Sequence, residues 1–113
     1  MTQEDKQLLL KDLSARLPYN VKCRVIWDDT SDRILTPVEL FGFEMNAISE
    51  IKPYLRSMSS MTEEEEREFE ETLQYTQFTL ESYDWLLVRH FDFRGLVPKH
   101  LAIEAPKEMY KNE

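Results

Sequence analysis

Cysteine, glycine and histidine are scarce in this chain, and each shortage closes off a class of chemistry. Cys23 is the only cysteine, so no intramolecular disulfide can form, and the chain reads as intracellular and cytoplasmic. Gly42 and Gly95 are the only glycines, too few and too far apart to cradle a phosphate or to build a flexible linker. No run approaches the ~20 apolar residues that span a bilayer, so no membrane segment is expected. The opening MTQEDKQLLLKDL carries acids early and only three successive leucines, unlike a signal or transit peptide.

What is present fits a folded globule. The 113 residues are 42% hydrophobic and 12% aromatic, which sets the chain apart from disordered segments poor in aromatics. This length predicts a single domain over 1–113 with about 107–113 as a frayed tail, burying roughly 65% of its unfolded surface. The net charge is -8 and unevenly spread. Residues 1–62 hold 8 basic and 9 acidic side chains, and residues 63–113 hold 6 and 13. An acidic protein repels phosphate backbones at long range, so nucleic acid is disfavoured as a partner.

Thr2 and Asp5 suggest a helix N-terminus, and Leu9, Leu10, Leu13 and Leu17 recur at helical spacing until Pro18, predicting a helix over 3–16. Val21, Cys23, Val25 and Trp27 then alternate with Lys22, Arg24, Ile26 and Asp28, the period of a half-buried strand. After the turn-forming DDTSDR, RILTPVELFGFEM reads as a second strand, with Pro37 at an edge or bulge and Gly42 at another bulge. IKPYLRS predicts a shorter third strand. A meander is the economical topology, and a helix preceding a meander also suggests, by analogy, an SH3-like or Sm-like partial barrel. The edges marked by Pro37 and Pro53 would allow a homodimer.

Thr62 with Glu65 fits a capping box at the head of a helix in which seven of nine residues, Glu63 to Glu71, are glutamate. Phe69, Leu73 and Thr76 give it a thin apolar stripe. A fourth amphipathic segment places Leu80, Tyr83, Leu87 and Phe91 on one face, with Gly95 as its left-handed terminator and a short strand at 101–104 beyond. The fold class expected is therefore α+β: an N-terminal helix, two or three antiparallel strands, then two helices.

Three blocks, LLLKDLSARLPYNVK, IKPYLRSMSSMTEEE and DWLLVRHFDFRGLVPKHLAIEAP, resemble a family of short uncharacterised proteins common in the genomes and prophages of gut anaerobes. They cover roughly half the chain, whereas the segment from Asp28 to Ser49 is individual. The resemblance implies a mobile-element accessory protein; it implies no activity, cofactor or site residue.

Catalytic constellations are thin. His90, Asp92 and His100, with Glu104 as a further ligand, are the sole candidates for a metal, but His90 and Asp92 stand two apart, which suits a turn better than one helix face. Cys23 shares its strand face with valines and reads as a small buried hydrophobe, not a nucleophile. Ser59 and Ser60 lack a strained glycine turn and serve as capping residues. No cofactor and no enzymatic activity are expected.

Two binding readings follow. Arg89, Phe91, Phe93 and Arg94 interleave bases and aromatics as single-strand nucleic-acid platforms do, and Lys22 and Arg24 would extend such a face. An Asp92–Arg94 or Asp84–Arg89 pairing that locks the turn accounts for the same residues more simply. Glutamate runs are commonly solvated faces, and the sharper reading is a docking surface for a basic protein partner. Its residues would be Glu64, Glu66, Glu68, Glu70 and Glu71. The leading expectation is a non-enzymatic protein-interaction module, with a nucleic-acid-binding regulator as the alternative.

Overall fold

The computed structural model describes residues 1–27 and 29–110 and has an α+β fold. Helix α1 spans Gln3–Arg16 and begins at the expected capping box, in which Thr2 Oγ1 accepts from Asp5 N and the Asp5 carboxylate accepts from Thr2 N. Pro18, which cannot continue a helix, falls in a 3₁₀ turn, Leu17–Tyr19, closed by left-handed Asn20. Leu9 and Leu13 are buried as the leucine spacing predicts. The same stripe also buries Asp12 and Arg16 completely.

Strand β1 spans Lys22–Ile26 and turns Cys23 and Val25 inward. Trp27, expected on the same face, lies past the strand end and is exposed. Strand β2 spans Thr30–Ile34 and pairs antiparallel with β1. Asp28, expected on the polar side of β1, lies outside the described residues.

The expected long second strand stops at Ile34, and Pro37–Glu44 is instead a helix, α2. Thr36 is extended and Pro37 takes the first helical turn, where its fixed φ suits the helix and its missing N–H is not needed. The near-continuous apolar run VELFGF suits either structure by periodicity, and packing decides the matter. Gly42 marks no bulge. A Cβ there would stand 3.0 Å from Ile48 Cδ1, so glycine allows the chain to fold back closely, with Ala47 N and Ile48 N both donating to Gly42 O.

Strand β3, Glu50–Leu55, pairs with β1 and not with β2. The sheet order is β2-β1-β3-β4, so the anticipated meander is replaced by two parallel strands flanking an antiparallel one, with α2 as their crossover. The two-residue β4, Ile103–Glu104, adds in parallel to β3. Pro53 therefore sits in an interior strand. The Leu55 carbonyl, two positions on and on the same side, accepts from Ala105 N, so the missing Pro53 N–H falls on the β4 side before β4 begins. Leu9, Leu13, Val25, Phe43, Ile51 and Leu55 form the heart of the core between α1, α2 and one sheet face.

Helix α3, Glu63–Thr72, carries the predicted Thr62/Glu65 capping box and buries only Thr72 fully. Helix α4, Leu80–Val88, is capped by Thr79 and Ser82. Its buried face is Ser82, Leu86 and Leu87, while Leu80 and Tyr83 of the expected stripe are exposed. The helix also ends earlier than the sequence suggests. His90 O accepts from Arg56 N at 2.8 Å and Arg56 O accepts from Asp92 N at 2.8 Å, so Phe91 forms an isolated parallel bridge with Arg56, just past the end of β3. Left-handed His90 makes the turn, and left-handed Gly95 makes a later one.

The C-terminal segment, expected to fray, is pinned as far as Tyr110. The Tyr110 hydroxyl accepts from Lys22 N at 3.0 Å and donates to Tyr54 O at 2.7 Å, filling the place where the β1–β3 ladder would continue. Residues 111–113 lie outside the described residues. Among the described residues no helix is long and apolar enough to cross a membrane.

Candidate interaction surface

The glutamate-rich sequence of α3 leaves it little apolar surface, and aromatic rings attach it to α4. Phe69 packs edge-on against Phe78 (5.4 Å) and tilted against Trp85 (5.4 Å). Phe78 meets Tyr83, Tyr83 meets Phe93, and Trp85 stacks on Phe91. Arg56 anchors this hairpin to β3: its guanidinium lies 4.2 Å from the Phe91 ring centroid and grips Glu65 bidentately at 2.7 and 2.9 Å. Those hydrogen bonds hold the Glu65 carboxyl below the usual glutamate range, against a smaller opposing effect of burial. Glu65 is thus structural.

The five glutamates anticipated as a docking face are all exposed. Only Glu68 has a cation nearby, Arg89 at 3.4 Å. Among the described residues Glu64, Glu66, Glu70 and Glu71 make no ion pair. Arg67 is the one cation on α3 itself, so the helix keeps a large excess of negative charge toward solvent.

The four basic residues considered for nucleic acid come from three places in the fold, and each is engaged. Lys22 Nζ donates to Met109 O, and Arg24 donates to the Tyr54 hydroxyl and lies 3.6 Å from Asp32, both on the sheet face away from the core. Arg89 spreads over the Trp85 ring at 4.1 Å beside Glu68. Arg94 donates to Asp12 at 3.1 Å, and Asp92 accepts from Leu96 N and Val97 N. The turn-locking partners are therefore Asp12 and Glu68, not the anticipated Asp92 and Asp84.

His90 is buried and stacks on Tyr110 at 3.8 Å, whereas His100 is exposed. Among the described residues no three His, Cys, Asp or Glu side chains are grouped to hold a metal ion. Cys23 is buried, and desolvation pushes its thiol up to about 12. Between the end of α4 and the C-terminal segment lies an open cleft of about 1140 Å³. Arg56, Arg89 and Lys107 line it together with Glu65, Glu104 and Glu108, so its formal charges cancel.

Two features escape a reading of the sequence. One is the buried Asp12–Arg16 pair, although positions 9, 12, 13 and 16 share one helical stripe and the pair is spaced i, i+4. The other is the apolar tip of the α3–α4 hairpin, where Tyr75, Phe78, Leu80 and Tyr83 remain 89%, 42%, 85% and 40% exposed. No protein-family model, curated protein or solved structure matches the chain.

Proposed function

We propose that this protein is a non-enzymatic interaction module that docks a basic protein partner through α3. The observation that carries the reading is the exposure of Glu64, Glu66, Glu70 and Glu71, which make no ion pair among the described residues, on a helix that the core does not need for its apolar surface. Carboxylates so placed raise the local concentration of a basic partner and speed its encounter, at a strength that falls with salt. A cytoplasmic residence fits the single buried thiol, and a mobile-element origin follows from the resemblance of the three sequence blocks.

The test is site-specific photo-crosslinking in cell extract from position 66, with position 7 on the exposed surface of α1 as the control. A discrete adduct from position 66 at ~50 mM salt, lost at ~500 mM and lost when all five glutamates become glutamine, is the expected result. Equal labelling from both positions, or no adduct from position 66, would refute it.

A further inference from the structure

We propose that the tip of the α3–α4 hairpin is the apolar anchor of this surface, and that its occupant is a basic amphipathic helix of the partner. The inference rests on the docking role of α3 and names the partner's chemistry. Three observations lead to it, the first being exposed apolar area. Tyr75 and Leu80 are 89% and 85% exposed, and Phe78 and Tyr83, whose rings lie 5.2 Å apart, are 42% and 40% exposed. Scattered apolar side chains on a surface mean little, but four within nine residues, from the Gln74–Gln77 turn into the start of α4, expose apolar area of the kind that binding sites use.

The second is the charge around that patch. Between Arg67 and Arg89 the sequence contains no lysine, arginine or histidine, while Glu68, Glu70, Glu71, Glu81 and Asp84 all lie there. Each of these five acids is exposed. Arg94 lies over Phe93, which touches Tyr83, but the surround is acidic in excess, and that excess chooses among occupants. A second copy of the chain would bring the same acidic surround against itself, and an anionic lipid surface would be repelled. A helix with leucine-like residues on one face and lysine or arginine beside them matches both the patch and its rim.

The third is the backbone. Gln74 and Gln77 exchange both of their backbone hydrogen bonds, at 2.9 and 3.0 Å, and close a two-residue turn over Tyr75 and Thr76. Both turn residues have positive φ, 52° and 65°. Asparagine and glycine are the residues that suit such a turn, and a β-branched threonine there is strained. The arrangement raises the free energy of the fold while holding a tyrosine out in solvent, where it adds little to the core. Strain of this kind is a mark of functional sites.

The test is fluorescence anisotropy with three labelled synthetic peptides of equal length and equal positive charge. One is a leucine–lysine helix with its leucines on one face, the second is the same composition scrambled, and the third has serine for leucine. The amphipathic helix is expected to bind at least ~10-fold more tightly than the others at ~150 mM salt. Tyr75→Ala and Leu80→Ser should each remove most of that advantage with the far-ultraviolet circular dichroism unchanged. Tyr75→Asn combined with Thr76→Gly should raise Tm and still weaken binding, which misfolding does not explain. Equal binding of all three peptides, unaffected by Tyr75→Ala, would overturn the anchor and leave the acidic docking face standing. Failure of every peptide to bind even at ~50 mM salt would overturn both.

Discussion

Replacing Asp12 by alanine removes a buried carboxylate that two guanidinium groups share. Asp12 and Arg16 are both fully buried, with Arg16 Nε donating to Asp12 Oδ2 at 2.7 Å, and Arg94 Nε reaches Asp12 Oδ1 at 3.1 Å. Arg16 also donates to Phe91 O at 2.6 Å, and its Nη1 has no hydrogen-bond partner among the described residues. Among the described residues the Phe91 carbonyl is the other acceptor that Arg16 meets, and it is already engaged. Breaking a buried pair by removing one partner destabilises by about 3–5 kcal/mol, because the remaining charge stays desolvated. For a domain of this size that corresponds to a fall in Tm of about 12–20 °C, at about 4 °C per kcal/mol. It is a large share of a total stability of about 5–15 kcal/mol. The double change Asp12→Leu with Arg16→Met should recover most of the loss, since an apolar pair of similar volume carries no desolvation penalty. Urea denaturation of the single and double variants measures both quantities. A loss below about 1 kcal/mol for Asp12→Ala would refute the reasoning, and so would a double variant no better than the single one.

Tyr110→Phe removes the hydroxyl between Lys22 N and Tyr54 O and should lower stability by about 1–3 kcal/mol, read by chemical denaturation. Glu65 is held below its ordinary titration range by Arg56, so its contribution is present above the unfolded carboxyl's pKa and disappears as pH falls through the folded one. Glu65→Gln should therefore make stability less steeply pH-dependent on the acid side, a change that Tm measured from pH 3 to 6 would show. Cys23, whose thiol is pushed up to about 12 by burial, should resist iodoacetamide at pH 8 in the native protein and react once urea unfolds it. A thiol of raised folded pKa also weakens folding as pH climbs past its unfolded value, so Cys23→Ala should flatten the alkaline limb of the stability profile.

Local signals in the sequence carried further than expected in some places and failed in others for a common reason. The capping boxes at Thr2 and Thr62 were legible because each is contained in four residues whose side chains satisfy one another. The buried face of Val21, Cys23 and Val25 in and just before β1 was legible from their alternation, which fails only at Trp27, past the strand end. Failure came where distant contacts chose between two local readings. The apolar run after Pro37 is helix α2 because Gly42 lets the chain return against Ile48. Helix α4 stops at Val88 because Arg56, some thirty residues earlier, pairs with the backbone at His90 and Asp92. Tyr110 is pinned by backbone groups of β1 and β3 that no tail composition reveals. For the candidate site, the glutamate face was visible from composition alone. The hairpin tip was not, since Leu80 and Tyr83 look like core until the buried face of α4 proves to be Ser82, Leu86 and Leu87.

The claim that binding resides in the α3–α4 hairpin is tested most directly by a ¹H–¹⁵N chemical-shift titration with the leucine–lysine helix. Saturable shifts should concentrate in residues 63–85, with Tyr75 and Leu80 among the largest, and should shrink when salt is raised. Shifts centred instead on Lys22, Arg24 and the exposed sheet face, or spread evenly over the molecule, would contradict it.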